Sequence, residues 1–376
     1  NELECVDSDS FRSDAGVDCR NYGVLEGLPE ARRLFAAYLG VRQEQIVLGG
    51  NSSLQLMHDL VVQALLQPLP GAERPWQAAT SRFLCPVPGY DRHFTILARY
   101  GIEAVPVAMG PDGPDVEEVE RLVADDPSIK GMFCVPRYSN PSGCTYSDEV
   151  VERLVAMATA AADFRIWWDD AYTVHHHGGG ADSLPNVLEL SQRLGRPDRF
   201  FWFGSTSKLT YAGGGVSMVA ASEADLAYIL HARAAQTIGP DKLNQLRHVR
   251  FLRDRGGIEA LADRHAEILG PRFQTVLDVL DQRLGGLDVA AWTRPRGGYF
   301  VCLDTWPGCA RRVVELAAKA GVKLTPAGAT FPGGVDPQDR NLRLAPSYPP
   351  AEDLRTATEL LCDCVLLTSL EQLGER

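Results

Sequence analysis

Between residues 46 and 220 the chain keeps returning to short apolar runs, at 46–48, 82–85, 131–135, 164–168, 199–203 and 216–220. Helical patterns, such as the one over 148–162, separate most of them. Runs this short and this apolar read as strands covered on both faces. Such strands alternating with helices argue for an α/β fold with a mostly parallel sheet between helical layers. In a sheet of that kind, ligands bind beyond the carboxyl ends of the strands. The polar residues that follow each run are therefore where chemistry is expected. The first run enters Gly49-Gly50-Asn51-Ser52-Ser53, after which Leu54, Met57, Val61 and Leu65 recur at helical spacing. Strand, small-residue loop and helix in that order present free N–H groups to an anion.

Past about residue 245 the character changes. Residues 245–285 read as helical without strand punctuation, 294–301 as a turn into a strand, and 351–370 as a closing helix. A helix is also expected over 27–39, where Leu28, Ala31, Phe35 and Leu39 share a face. The expected division is a large domain over 40–245. A smaller α+β C-terminal domain takes 250–376, together with the N-terminal segment 1–39. A chain of 376 residues is long enough for both. The formal net charge of -12 argues against nucleic acid or an anionic membrane as the main partner. No apolar run approaches the roughly 20 residues needed to span a bilayer. The nine cysteines are scattered and form no Cys-x-x-Cys, which fits reduced thiols in a cytoplasmic protein. His175-His176-His177 invites a metal, but consecutive side chains cannot all face one ion, so no metal site is read there. One of the three is free to line a pocket.

The chemistry concentrates after two of the apolar runs. Run 199–203 leads into Gly204-Ser205-Thr206-Ser207-Lys208, and run 164–168 into Asp169-Asp170-Ala171-Tyr172. The first delivers an amine and the second a carboxylate and a phenol. A lysine that forms a Schiff base and an acid that partners a pyridinium nitrogen are what pyridoxal 5'-phosphate (PLP) requires. Asp169 and Asp170 compete for that second role, since neighbours on a strand point to opposite faces and only one can face the ring.

Further motifs follow in order: Arg20-Asn21-Tyr22-Gly23 with Gly27, Pro88-Gly89-Tyr90, Ser139-Asn140-Pro141-Ser142-Gly143, the segment 295–300, and Asn341-Leu342-Arg343-Leu344-Ala345-Pro346. Together these motifs resemble the class I/II aminotransferases of the fold-type I PLP enzymes. The nearest likeness is to the MocR-like branch that includes atypical bacterial aspartate aminotransferases. The resemblance covers nearly the whole chain. It implies that Lys208 forms the Schiff base and later moves a proton from the substrate α-carbon. It selects Asp169 for the pyridinium nitrogen, and Tyr172 and Asn140 as donors to the cofactor's phenolate oxygen. Tyr90 is expected to stack on the ring, although an aromatic after Pro-Gly also serves as a core anchor. The phosphate is expected at Asn51, Ser52 and Ser53, with hydroxyls from Ser205 and Ser207. Tyr22 is expected to reach the phosphate of a neighbouring subunit, which implies a homodimer with shared active sites. Arg343 is the expected clamp for the substrate carboxylate, with Arg340 as its decoy. One position departs from the pattern: Val216 stands where many relatives place a phosphate-binding arginine.

The activity so implied is transfer of an amino group between an amino acid and a 2-oxo acid by a ping-pong reaction, with L-aspartate and 2-oxoglutarate as the pair. A dicarboxylate needs a second cationic contact, for which Arg20, Arg294, Arg296 and His175 to His177 are candidates. Two alternatives stay beside it. One is a lyase, decarboxylase or kynurenine-type transaminase of the same fold. The other is the ligand-sensing part of a MocR-type transcription regulator, which needs a basic DNA-binding domain that the sequence does not display.

Overall fold

The computed structural model describes residues 10–374. Eight strands build one sheet: β1 (Ile46–Leu48), β2 (Arg82–Val87), β3 (Glu103–Gly110), β4 (Gly113–Pro114), β5 (Ile129–Cys134), β6 (Arg165–Asp169), β7 (Phe200–Ser205) and β8 (Ser217–Ala220). Their spatial order is β1-β8-β7-β6-β5-β2-β3-β4. The middle of the sheet, β7 through β3, is parallel throughout. Strand β8 runs antiparallel to both β7 and β1, and β4 folds back on β3. The direction of β8 follows from the connection before it. Residues 206–216 contain no helix, and a parallel return needs a crossover of about a dozen residues or more, usually helical.

The short apolar runs are the strands expected. Strands β3 and β4 are additions: residues 104–109 are apolar, but Pro106 in their middle argues against a strand. A proline is tolerated there, near the edge of the sheet. Both faces of the inner strands are covered. Ile166, Trp168, Phe200 and Trp202 enter one core, while Trp167, Phe201 and Phe203 enter the other. The Trp167 and Phe203 rings stack with centroids 5.6 Å apart.

Helix Pro29–Leu39 begins at a proline, whose missing N–H is no loss at that position, and stops where Gly40 turns left-handed at φ 79. Its Leu34, Phe35 and Leu39 join the core on the large sheet. The sequence grouped 1–39 with the C-terminal part; this helix packs on the large sheet instead, because its apolar stripe meets β1 and the helix Lys242–Leu252.

The C-terminal part carries a three-stranded antiparallel sheet of β9 (Ala290–Trp292), β10 (Val301–Thr305) and β11 (Asn341–Leu344), with β10 in the middle. The helical stretch expected over 245–285 is two helices, Lys242–Leu252 and Arg255–Leu284, separated by Arg253 at φ 63 and capped by Asp254. The second has 30 residues, about 45 Å of helix. Its Ile258, Leu261 and Ala262 pack in a core of the large sheet, and its Phe273 to Leu284 in the core of the small one with helix Ala351–Gly374. No described helix is long and apolar enough to cross a membrane. None of the cysteines among the described residues is in a disulfide, and Cys5 lies outside them.

One buried ion pair ties the large sheet to the helix that follows β8. Arg165 donates from Nε and Nη2 to the two oxygens of Asp225 at 2.9 and 3.0 Å, with both side chains almost fully enclosed. Asp225→Ala leaves that guanidinium without its counter-ion. The expected cost is about 3 kcal/mol or more, read as an earlier urea unfolding midpoint than the parent protein.

Candidate active site

The site lies beyond the carboxyl ends of β5, β6 and β7. Strand β6 ends at Asp169, which is 3% exposed. Its Oδ2 accepts from His93 Nε2 at 3.1 Å; a carboxylate can only accept, which fixes the proton on that nitrogen. The His93 ring stacks on Phe133 at 4.3 Å and meets Tyr90 edge-on at 5.0 Å. Asp169 Oδ1 is buried and has no hydrogen-bond partner. Asp170 points the other way, toward Arg137 Nη2 at 3.4 Å, and burial pushes its carboxyl pKa up. Packing gives the two neighbouring carboxylates different surroundings. Asp169 carries a histidine and an open oxygen, and Asp170 is enclosed with an arginine.

Lys208 follows β7 in the loop 206–216. The base of that loop is closed twice: Thr206 N donates to Val216 O at 2.9 Å, and Val216 N to Thr206 Oγ1 at 2.9 Å. The ammonium of Lys208 lies 4.9 Å from the centre of the Tyr172 ring. Lys208 is exposed; the protein atoms packed around its amine lower its pKa by desolvation, and the charge of Asp169 opposes that shift. Tyr172 is 2% exposed, and burial raises its phenol well above the usual range. Tyr299 faces it at 5.9 Å and donates its hydroxyl to Lys208 O at 3.2 Å. His175 fills the angle between these two tyrosines; burial brings its pKa down to about 3, so it is neutral.

Across the cleft, Arg343 projects from β11. Its Nη1 donates to Asp91 Oδ1 at 2.9 Å and to Asn140 Oδ1 at 3.3 Å, and its guanidinium lies 5.0 Å from the Phe300 ring centre. Asn140 is 3% exposed. Its loop turns at Gly143, where φ is 74 and an added Cβ would stand 2.6 Å from Pro295 Cβ. That close approach needs glycine and brings the loop onto the segment leading to β10. Arg340, the expected decoy, has Nη1 on Gln338 Oε1 at 3.3 Å and Nε 4.0 Å from Asp304.

The anion cradle is assembled from three segments. Ser52 precedes helix Ser53–Leu66 without capping it by its own side chain. Ser207 Oγ donates to Asn51 O at 2.6 Å, and Asn51 Nδ2 to Gly213 O at 3.4 Å. Asn244 Nδ2 holds the carbonyls of Gly214 and Gly215 at 3.0 and 2.9 Å. A Cβ on Gly215 would stand 2.8 Å from Ser207 N and Oγ, so the loop tolerates no side chain there. Val216 is 2% exposed. Ser205, 5% exposed, ends β7 opposite Ser217.

Tyr22, expected at a neighbouring subunit's phosphate, is 80% exposed on the surface. Other candidate cations and two of the histidines have partners within the chain. Arg20 is paired with Asp18, Arg294 with Asp281, and Arg296 with Asp182. His176 reaches Asp263 at 3.2 Å and His177 Nε2 donates to Gly298 O at 2.9 Å, so the three histidines diverge. No group of three or more metal-ligating side chains is found among the described residues. The sequence did not reveal His93 or Asp91. His93 lies three residues past Tyr90, but nothing local says that it meets a carboxylate on β6.

Asp169 Oδ1, an open buried acceptor, and a cradle of free N–H groups, hydroxyls and glycine fit a cofactor with a protonated ring nitrogen and a phosphate. Comparison with known proteins points the same way. The chain is 45% identical to an aspartate aminotransferase of Corynebacterium glutamicum over 96% of its own length and 84% of the relative's. The crystal structure of an aspartate transaminase from the same organism superposes with a TM-score of 0.96 at 44% identity, covering 98% of this chain and 87% of that one. The α-aminoadipate aminotransferase of Thermus thermophilus, solved with N-(5'-phosphopyridoxyl)-L-leucine, shares the fold at a TM-score of 0.78 and 22% identity, covering 94% and 85%. The family described as "Aspartate amino-transferase" matches residues 3–376, and with this fold and these relatives the chain belongs to that family of aminotransferases.

Proposed function

We propose that this aminotransferase uses pyridoxal 5'-phosphate and moves an amino group from L-aspartate to 2-oxoglutarate in two half-reactions. The single observation carrying the cofactor assignment is the meeting of Lys208, Tyr172 and the open oxygen of Asp169 in one cleft. When bound, the cofactor supplies a carbonyl carbon that joins amines and a ring that accepts the electron pair released from the substrate α-carbon.

The roles of the protein residues follow from their surroundings. Lys208 is the amine that holds the cofactor, and once released it takes the proton from the substrate α-carbon; a lowered pKa favours the neutral amine that both tasks need. Asp169, oriented by His93, faces the ring nitrogen. Tyr172 keeps its proton at neutral pH and donates it in a hydrogen bond to the phenolate oxygen, alongside Asn140. Tyr90 stacks on the ring. The N-terminus of helix Ser53–Leu66, with Asn51, Ser52, Ser53, Ser205 and Ser207, binds the phosphate; hydroxyls and backbone dipoles do the work of the arginine that Val216 replaces. Arg343 clamps the α-carboxylate of the amino acid.

Exposed Tyr22, with Ile238 at 62% exposure nearby, supports a homodimer in which Tyr22 reaches the partner's phosphate. The ordered motifs support a place in the MocR-like branch. Aspartate is supported by the names of the Corynebacterium relatives. The arginines considered for its second carboxylate are each ion-paired within the chain, so other donors belong in the test.

The test is an absorption spectrum of the PLP-loaded protein while single amino acids are added without an acceptor. Conversion to the pyridoxamine form with aspartate, and not with alanine or phenylalanine, is the expected result. Conversion by aromatic donors alone would replace the aspartate assignment, and release of pyruvate and ammonia from cysteine conjugates would point to lyase chemistry. Lys208→Ala is expected to lower kcat by more than about a thousand-fold, measured by coupled assay. Arg343→Ala is expected to raise the KM of the amino acid about 30-fold, with cofactor affinity unchanged in a fluorescence titration.

A further inference from the structure

Arg343 already touches a carboxylate before any substrate arrives. Its side chain is 12% exposed and Asp91, 2.9 Å away, is 30% exposed. Enclosing a guanidinium without a counter-ion is costly, and Asp91 is the acid that stabilises Arg343. Asp91 is no loose surface group. It is the first residue of helix Asp91–Arg99, and just before it Gly89 N donates to Thr330 O at 2.8 Å, which holds this corner against the segment leading to β11. Its own neighbour Arg92 also pairs with it, but more weakly, at 3.9 Å and 60% exposure. The fork of Arg343 is only part used: Nε is buried and has no hydrogen-bond partner.

A carboxylate entering this fork meets a cation whose charge is already compensated, so its gain is smaller than at a bare arginine. We propose that Asp91 is the resident counter-ion of Arg343, competing with the substrate carboxylate and setting the KM of amino acid and 2-oxo acid alike. This rests on the reading of Arg343 as the carboxylate clamp. When product leaves, Asp91 takes the guanidinium back, so release never strands a buried charge. Asp91 is a positioning residue in this scheme, acting through Arg343.

Asp91→Asn keeps an oxygen acceptor at the same place and removes the charge. The expected result is a fall of about five-fold in the KM of both substrates, without a rise in kcat. Calorimetry should show propionate, a carboxylate that cannot react, binding tighter by the same factor. Asp91→Ala should move both quantities in the same direction. A KM and a propionate Kd that stay constant or rise in Asp91→Asn would overturn the proposal and leave Asp91 a mere support for the loop. Arg343→Ala separates the two layers. If it leaves KM unchanged, the clamp assignment has failed. If it raises KM while Asp91→Asn lowers nothing, only the counter-ion proposal has failed. In the double variant the gain from Asp91→Asn should vanish, because the group through which it acts is gone.

Discussion

Strands β6 and β7 lie side by side in parallel register, Trp168 opposite Trp202 and Asp169 opposite Phe203. Parallel pairing makes both strands end on the same edge, so the carboxylate of one and the lysine loop of the other emerge together. An antiparallel pairing of the same two segments would send Lys208 to the far end of the sheet. The pairing is held by the aromatic residues of these strands, which fill both cores at once. Trp167 packs against Phe201 and Phe203 on one face, and Trp168 against Phe200 on the other. The interior is therefore shaped by large flat rings whose burial also fixes where two polar side chains, 39 residues apart, come to meet.

Four enclosed charges in and around the site are each paired with an acidic or basic side chain. Asp169 has His93, Asp170 has Arg137, Asp225 has Arg165, and Arg343 has Asp91. Lys208 has no such direct partner: it lies over the face of a tyrosine and its ammonium form is disfavoured. The difference matches the chemistry. The four paired groups are held by a fixed neighbour, while under the proposed function the amine of Lys208 would lose and regain a proton, and it has no such neighbour.

Most of the sheet was legible because each inner strand is apolar on both sides, which the residues themselves declare. Lys208, Asp169 and Tyr172 were legible because each follows such a strand directly. The outer strand β3 was hidden by the proline in its middle. Pairwise choices were hidden for a different reason. Which of Asp169 and Asp170 faces His93, and that Asp91 meets Arg343, depend on contacts between residues 76 and 252 positions apart. Local spacing holds no information about such contacts. The fate of Arg20, Arg294 and Arg296, each taken up by a nearby acid, is likewise a matter of which carboxylate folds beside them.

The loop 206–216 is fastened at its base by the Thr206 and Val216 pair, on its inner side by Ser207 to Asn51, and near its end by Asn244 to Gly214 and Gly215. Fastenings at fixed points along so short a path make its length, more than its composition, the inherited quantity. Lineages of this protein are free to exchange many side chains in the loop. The gain or loss of one residue would shift every fastening against its partner and turn the lysine away, so insertions and deletions should be rare there and common in the open turns of the C-terminal part.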